Sequence, residues 1–448
     1  MKNSSILRLL NLCLCALLLA FWLTTAASSA GAQTPQPSAS LSQTASSTQT
    51  ATADVQLTLD QAMTQFLARN PALAAARSRV ESARANQIAA RLRPNPSLLF
   101  SVENLKLGST SPFTVPFTRL YEIGPTFTQT IELGGKRQRR MDVADLSVSV
   151  ADAELLDELR RRTLDVRRAF YEVVLARHLL EVTLEQRSYF EELVRFNQVR
   201  LDEGAIAGSE LLKVKLERVK FDAVVAQARL VVRQAGIRLL ELLGETTPGV
   251  QVTVVGDLGF TPLGTDLAAL REQALRERPD LQAAERGTQL ADRRIALERA
   301  RSVPDITPYA GYKRIGVDNT LQFGVTIPLF VNNRNQAEIA RAMADEKTAA
   351  AELAVVRNRL LAEVETAYRA YETGRAQVMT FQRELLNQAD QSREIAQVAY
   401  REGATDLLPL LEAQRTRTEI RQQYFRTLFD YQLSILQLEA AVGGEIKP

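Results

Sequence analysis

Residues 320–329 read Thr320-Leu321-Gln322-Phe323-Gly324-Val325-Thr326-Ile327-Pro328-Leu329, with every second side chain large and apolar and the others small or polar. A period of two sends the two sets to opposite faces of a strand. About ten residues with one apolar and one polar face is the length and pattern of a membrane barrel strand. Thr126 to Leu133 repeats the pattern more weakly, with Thr126, Thr128, Thr130 and Glu132 on the polar side. Leu98 to Leu105 and Ile306 to Ile315 are less regular partners bounded by prolines. Four strands are therefore expected, at about 98–105, 123–133, 305–315 and 320–330. On the strand pattern alone, a pair of ordinary hairpins on a soluble domain competes with this reading.

Around these strands the chain is duplicated. Sliding it by 208 positions lays residues 59–96 on 267–304 with eleven identities in thirty-eight, Pro71 on Pro279 and Pro96 on Pro304 among them. Further on, Arg137 matches Arg334 at an offset of 197, and Glu203-Gly204-Ala205 matches Glu402-Gly403-Ala404 at 199. The stretch between is eleven residues longer in the first copy, an insertion that an exposed loop tolerates because closure entropy grows slowly with length.

Each copy contains a very long helix. From Lys136 to Glu203 there is no glycine or proline, and from Asn332 to Glu402 only Gly374 interrupts, so each helix spans about 100 Å at 1.5 Å per residue. Steps of three and four from Leu156 through Val166, Phe170, Val173, Leu180 and Leu184 to Leu201 predict a heptad-like seam broken by Arg177, Arg187 and Glu191. After a glycine-containing tip the chain restarts as a helix, with Ser209 as the expected N-cap in one copy and Thr405 or Asp406 in the other. The full expectation is helices at about 58–93, 136–203, 209–243, 266–301, 333–402 and 406–442, in a first repeat over 57–256 and a second over 257–448.

At the start, Lys2 and Arg8 precede an apolar run from Leu9 to Leu23 and then Ala30-Gly31-Ala32, so residues 1–32 are expected to be a cleaved secretory signal. Both cysteines, Cys13 and Cys15, lie in it, which excludes disulfides, cysteine catalysis and thiolate metal sites from the mature chain. Residues 33–56, rich in Gln, Thr, Ser, Ala and Pro, are expected to be a disordered leader. Removing Lys2 and Arg8 from 55 basic residues leaves 53 against 52 acidic ones, a balance with no footprint for nucleic acid. The single histidine, His178, sits mid-helix, so neither a transition-metal site nor an enzyme signature is expected, and no cofactor.

Four strands cannot close a barrel, and open edges cannot face lipid. Two chains would give eight strands around a filled interior, whereas three give twelve and leave a channel. An export signal followed by tandem copies of helix, strand hairpin, long helix, glycine-containing tip and return helix resembles the TolC family of outer-membrane efflux channels, from about Leu57 to Val442. Thr128-Gln129-Thr130-Ile131-Glu132-Leu133-Gly134-Gly135-Lys136-Arg137 is similar to the strand-to-helix corner of members of the cobalt-zinc-cadmium heavy-metal efflux type. In the second copy Ile327-Pro328-Leu329-Phe330, followed by Asn332-Asn333-Arg334, occupies the corresponding corner. The resemblance implies a mainly helical, tandem-duplicated protomer whose homotrimer forms a 12-stranded β-barrel in outer-membrane lipid on a long periplasmic α-helical barrel. It also implies a periplasmic adaptor (a membrane fusion protein) and an inner-membrane efflux pump as partners. The function implied is that of the passive exit duct of a tripartite, RND-type system. Heavy-metal cations are the implied cargo, with organic drugs or secreted protein as the alternative, and a periplasmic coiled-coil adaptor or scaffold as a further one.

The same resemblance places adaptor docking at the tips, on Arg200, Leu201, Gly204, Ala205 and Ser209 in one copy and Arg401, Gly403, Ala404 and Thr405 in the other. It places the periplasmic gate at Tyr400, Glu412 and Glu210, with Pro409 where many members carry a second acidic residue. Rings of carboxylate would attract cations there.

Overall fold

The long helices and the strand hairpins all form, and what separates them is set by proline and glycine. A computed structural model describes residues 54–104, 121–245, 251–264 and 266–446. The expected signal at 1–32 and most of the expected leader lie outside the described residues. The leader is corrected at its end, because Asp54–Leu57 is a strand, β1, paired in parallel with β4 at Gln251–Val254. Neither strand is long enough to show an alternation, and their pairing joins residues almost 200 positions apart.

The helix expected over 58–93 is two: α1, Leu59–Arg69, and α2, Pro71–Arg91. Its counterpart over 266–301 splits likewise into α5, Leu267–Glu277, and α6, Pro279–Arg301. Proline disfavours helical geometry in the residue before it. Asn70 and Arg278 accordingly sit at φ −64, ψ 122 and φ −63, ψ 118. These two hinge residues, equivalent under the duplication, do the same work. The Asn70 amide donates to the carbonyl of Leu242 at 2.7 Å, and the Arg278 guanidinium donates to that of Ala441 at 3.0 Å. Each thereby satisfies an open carbonyl at the end of a return helix. Arg278 is 1% exposed. Burial works against its charge, but bonds to Asp280 and Glu363 outweigh this and raise its pKa.

The long helix α3 runs Lys136–Asp202 and returns as α4, Gly208–Leu242. Its N-cap is Ala207, so Ser209 is not the cap but an exposed residue of the first turn. In the second copy α7, Gln336–Thr380, passes through a π-helical turn, Phe381–Leu385, into α8, Leu386–Arg401, and returns as α9, Leu407–Val442, with Asp406 as N-cap. The π turn marks a one-residue difference between the copies. Val166 and Val364, Ala169 and Ala367, and Arg177 and Arg375 are 198 apart, whereas the tips are 199 apart. The extra residue is taken up where the Leu386 N–H bonds back five residues to Phe381.

One apolar core joins β1 and β4 to the middle of α3, α7 and α9, through Phe66, Val166, Phe170, Leu239, Leu360 and Tyr431. Nearer the tips the buried row of α3 departs from the expected seam, running through Ala176, Thr183, Gln186, Phe190, Leu193 and Asn197, one residue before the expected positions. The partners change there. Phe190 and Leu193 leave the large core and pack with Val214, Tyr400, Leu407 and Leu410.

The remaining strands are β2, Ser97–Glu103, β3, Glu122–Thr128, β5, Thr307–Ile315, and β6, Asp318–Thr326, in one antiparallel sheet of order β2-β3-β5-β6. β3 and β6 end short of the expected 133 and 330. Beyond β3 the ladder thins to a bridge between Ile131 and Ile306. β5 and β6 are joined by Gly316-Val317, while eighteen residues, 104–121, separate β2 from β3, so the first copy's insertion lies between its strands.

Gly135 and Gly244 have φ of +70 and +74, a region that costs other residues about 1–2 kcal/mol. A Cβ on Gly244 would also lie 2.6 Å from the Arg69 carbonyl oxygen, whereas nothing lies within 4 Å of one on Gly135. In thermal melts followed by circular dichroism, Gly135→Ala should lower stability modestly and Gly244→Ala markedly more.

Candidate functional site

The sheet has two chemically distinct faces. Register places Leu98, Phe127, Ala310 and Phe323 in one row across it, and Phe100 and Pro125 beside Tyr312 and Leu321 in the next. Leu98, Phe100, Leu321 and Phe323 are all exposed, Phe323 by 73%. On the opposite face Ser97 bonds Thr128, Gln322 donates to Thr126 at 2.8 Å, and Lys313 pairs with Glu103 at 3.0 Å and with Glu122. An apolar face of this extent has no stable place in water, and a polar face bonded side chain to side chain has none in hydrocarbon. Between lipid and a water-filled lumen, both are satisfied. Among the described residues no helix is long and apolar enough to cross a membrane.

The two helical tips have the same backbone. The N–H of Gly204 bonds Leu201 and that of Ala205 bonds Arg200. Gly403 and Ala404 bond Tyr400 and Ala399 in the same way. This paired closure needs a left-handed residue, and both glycines have φ +73. Gly204, Ala205, Ser209, Arg401, Gly403, Ala404 and Thr405 are exposed, and Leu201 is half-buried. Arg200 ties the tips together, with its guanidinium 5.2 Å from the centre of the Tyr400 ring and 5.7 Å from that of Phe196.

Tyr400, expected as a pore-lining aromatic, is 2% exposed. Its ring packs among Phe190, Leu193 and Leu410, and its hydroxyl donates to Asn197 Oδ1, so it is a packing residue of the tip in this conformation. Burial, with the nearby charge of Glu210, raises the Tyr400 pKa and keeps the phenol protonated through the neutral range. Glu412 is exposed, in a groove of about 570 Å³ between α4 and α9 that also holds Glu217, Glu419 and Phe221. Glu217 pairs with Lys220 at 2.5 Å and Glu419 with Arg415 at 2.9 Å, while Glu412 has no ion-pair partner among the described residues.

Sequence reading missed the buried polar contacts behind the tips. Besides Asn197, Gln414 donates to Gln186 at 2.5 Å and Thr418 to the same oxygen at 2.7 Å, joining α3 to α9. The signal was present as polar residues at helical spacing, but a seam drawn one residue away left them on the solvent side. His178 lies with Nε2 2.9 Å from Asp257 and its ring stacked on Phe425. No group of three or more His, Cys, Asp or Glu among the described residues could hold a metal ion.

A sheet apolar on one side and polar on the other, carried on helices several times longer than a bilayer is thick, defines a protomer of an outer-membrane duct. The chain belongs to the outer membrane efflux protein family, whose model matches residues 62–245 and 270–444. It is 27% identical over 385 residues to the cobalt-zinc-cadmium resistance protein CzcC of Cupriavidus metallidurans, covering 83% of this chain and 86% of that protein. It is 29% identical over 323 residues to the nickel and cobalt resistance protein CnrC of the same organism, covering 68% and 73%. A crystal structure of the channel protein CusC superimposes with a TM-score of 0.71 at 19% identity, over 86% of this chain and 92% of that one. These likenesses bear out the TolC-like fold and the outer-membrane efflux role, with the helices on the periplasmic side.

Tyr400→Phe removes the partner of Asn197, which is 0% exposed, at a cost on the order of 1–3 kcal/mol. Hydrogen exchange should quicken at amides near residues 190–204 and 396–411 and stay unchanged in the sheet.

Proposed function

We propose that three copies of this chain form the exit duct through which a periplasmic adaptor and an inner-membrane pump discharge heavy-metal cations, and that the duct itself catalyses nothing. The observation that carries this reading is the four-stranded sheet with a lipid-type face and two open edges, which a lone chain cannot present to a membrane. The helices add support. Near the tips α4 packs on α3, α3 on α9 and α9 on α8, leaving α4 and α8 as outer helices. Leu212, Leu216, Val219, Leu230 and Ile237 recur at helical spacing on the outward face of α4, and Ile395 and Val398 on that of α8. Apolar rows on both flanks suit a ring in which α4 of one copy meets α8 of the next.

The cargo assignment rests on the named relatives and on the Thr128–Arg137 corner. Cation passage also fits the tip, where Glu412 and Glu210 would repeat by three-fold symmetry as carboxylate rings. The gate is assigned to these two residues, with Tyr400 as their support. Adaptor docking is assigned to the exposed tips, including Gly204, Ala205, Gly403, Ala404 and Thr405, where small side chains let another helix approach closely.

Deleting the gene should lower tolerance to cobalt, zinc, cadmium or nickel salts. Unchanged metal tolerance with new sensitivity to organic compounds would replace the cargo. Leu216→Asp combined with Val219→Asp should reduce trimer in detergent, read by native mass spectrometry, and Glu412→Gln should weaken cation selectivity in planar bilayers.

A further inference from the structure

The apolar alternation that begins in β6 does not stop where β6 stops. Ile327, Leu329 and Val331 continue it past Thr326 with no strand partner, and Leu329 is 82% exposed, the most of any large apolar side chain described. At the opposite edge of the sheet, β2 carries its own exposed row, Leu98, Phe100 and Val102, and among the described residues pairs on one side only.

The duplication says how these two edges fit. β2 maps onto β5 at an offset of 208, the offset of Pro96 and Pro304. β3 maps onto β6 at an offset of 200, that of Gly135 and Asn335, the left-handed residues (φ 70 and 64) that precede the two long helices. Arg137 lies inside its helix and Arg334 before the other, so the structure replaces the offset of 197 and shortens the insertion from eleven residues to eight. The two offsets were obtained outside the sheet, yet together they carry the observed pair Leu99 and Thr126 onto the observed pair Thr307 and Thr326. Within the chain, the second strand of the first hairpin pairs with the first strand of the second, β3 with β5. The same junction between copies joins β6 to the next copy's β2.

We propose that residues 326–331 form the continuation of β6 only against a second copy of this chain, pairing antiparallel with 98–103 of its β2 so that Leu329 lies opposite Phe100. This rests on the trimeric reading above and adds the register to it. Moved by the two offsets, Phe127 opposite Ala310 becomes Ile327 opposite Val102. The bond from the Gln129 N–H to the Pro308 carbonyl becomes one from Leu329 to Phe100. The bridge between Ile131 and Ile306 becomes Val331 opposite Leu98. All three pairs fall on the apolar face, so the lipid-facing belt continues across the junction. A slip of one residue would set these side chains against the polar row.

Proline fits this register too. Just past the end of β3 the N–H groups of Gln129 and Ile131 bond the carbonyls of Pro308 and Ile306 on the β5 side, so that of Thr128 points the other way. Pro328 occupies the equivalent position, and its missing N–H therefore faces away from the incoming strand.

Cross-linking tests the register. Ser101→Cys with Pro328→Cys, in a chain with Cys13 and Cys15 replaced by serine, places a facing, lumen-side pair within disulfide reach. Oxidation of the purified protein should convert most of it to a covalent trimer on a non-reducing gel. Ser101→Cys with Thr326→Cys, or with Phe330→Cys, is out of register by two and should remain largely monomeric. Preferential cross-linking of either displaced pair overturns the register, as does absence of cross-linking in a protein that native mass spectrometry shows to be trimeric. A chain monomeric in detergent even without the cysteines overturns the trimeric duct, and the register with it.

Discussion

Every backbone N–H and C=O placed in hydrocarbon must find a partner, and this constraint shapes the rest of the molecule. Among the described residues, four strands in the order β2-β3-β5-β6 leave two edges unpaired, and a face of leucine, phenylalanine and valine is left without a neighbour. Neither can be relieved within one chain. The protomer is a unit cut for assembly, and the apolar rows on α4 and α8 show the same incompleteness in the helices.

Duplication supplies the parts cheaply, but the two copies are not interchangeable. Asn70 and Arg278 cap the returning helix from equivalent hinge positions, one as a neutral amide and the other as a buried cation held by Asp280 and Glu363. The tips close with the same hydrogen bonds, yet only the second long helix contains a π turn, because it carries one residue more between equivalent core positions and its tip. The extra residue is absorbed locally, and Tyr400 still reaches Asn197.

The helices also change character along their length. Around β1 and β4 the core is apolar and closed by Phe66, Phe170, Leu360 and Tyr431. Toward the tips it narrows to six buried apolar or aromatic side chains, interleaved with Asn197, Gln186 and Gln414. Buried polar pairs contribute less to stability than the same volume of apolar packing, and they fix which helix faces which. That combination suits the docking and gating roles proposed for the tips.

By itself the sequence determined the four strands of the two-faced sheet and the paths of the long helices, but not the number of elements. Period-two alternation, the absence of helix breakers over nearly seventy residues, and the glycine tips each act through local geometry, so the strands, the long helices and their reversals were legible, as was the need for several chains. The tertiary structure alone decided what depends on residues far apart: the parallel pairing of β1 with β4, the rotation of α3 that buries Asn197 and Gln186, and the withdrawal of Tyr400 from the surface. These hinge on which neighbour a helix face meets, and neighbours are chosen by packing summed over the whole chain. The breaks at Asn70 and Arg278 stand between the two cases, since Pro71 and Pro279 announce them locally but only the carbonyls of Leu242 and Ala441 explain the residues found there.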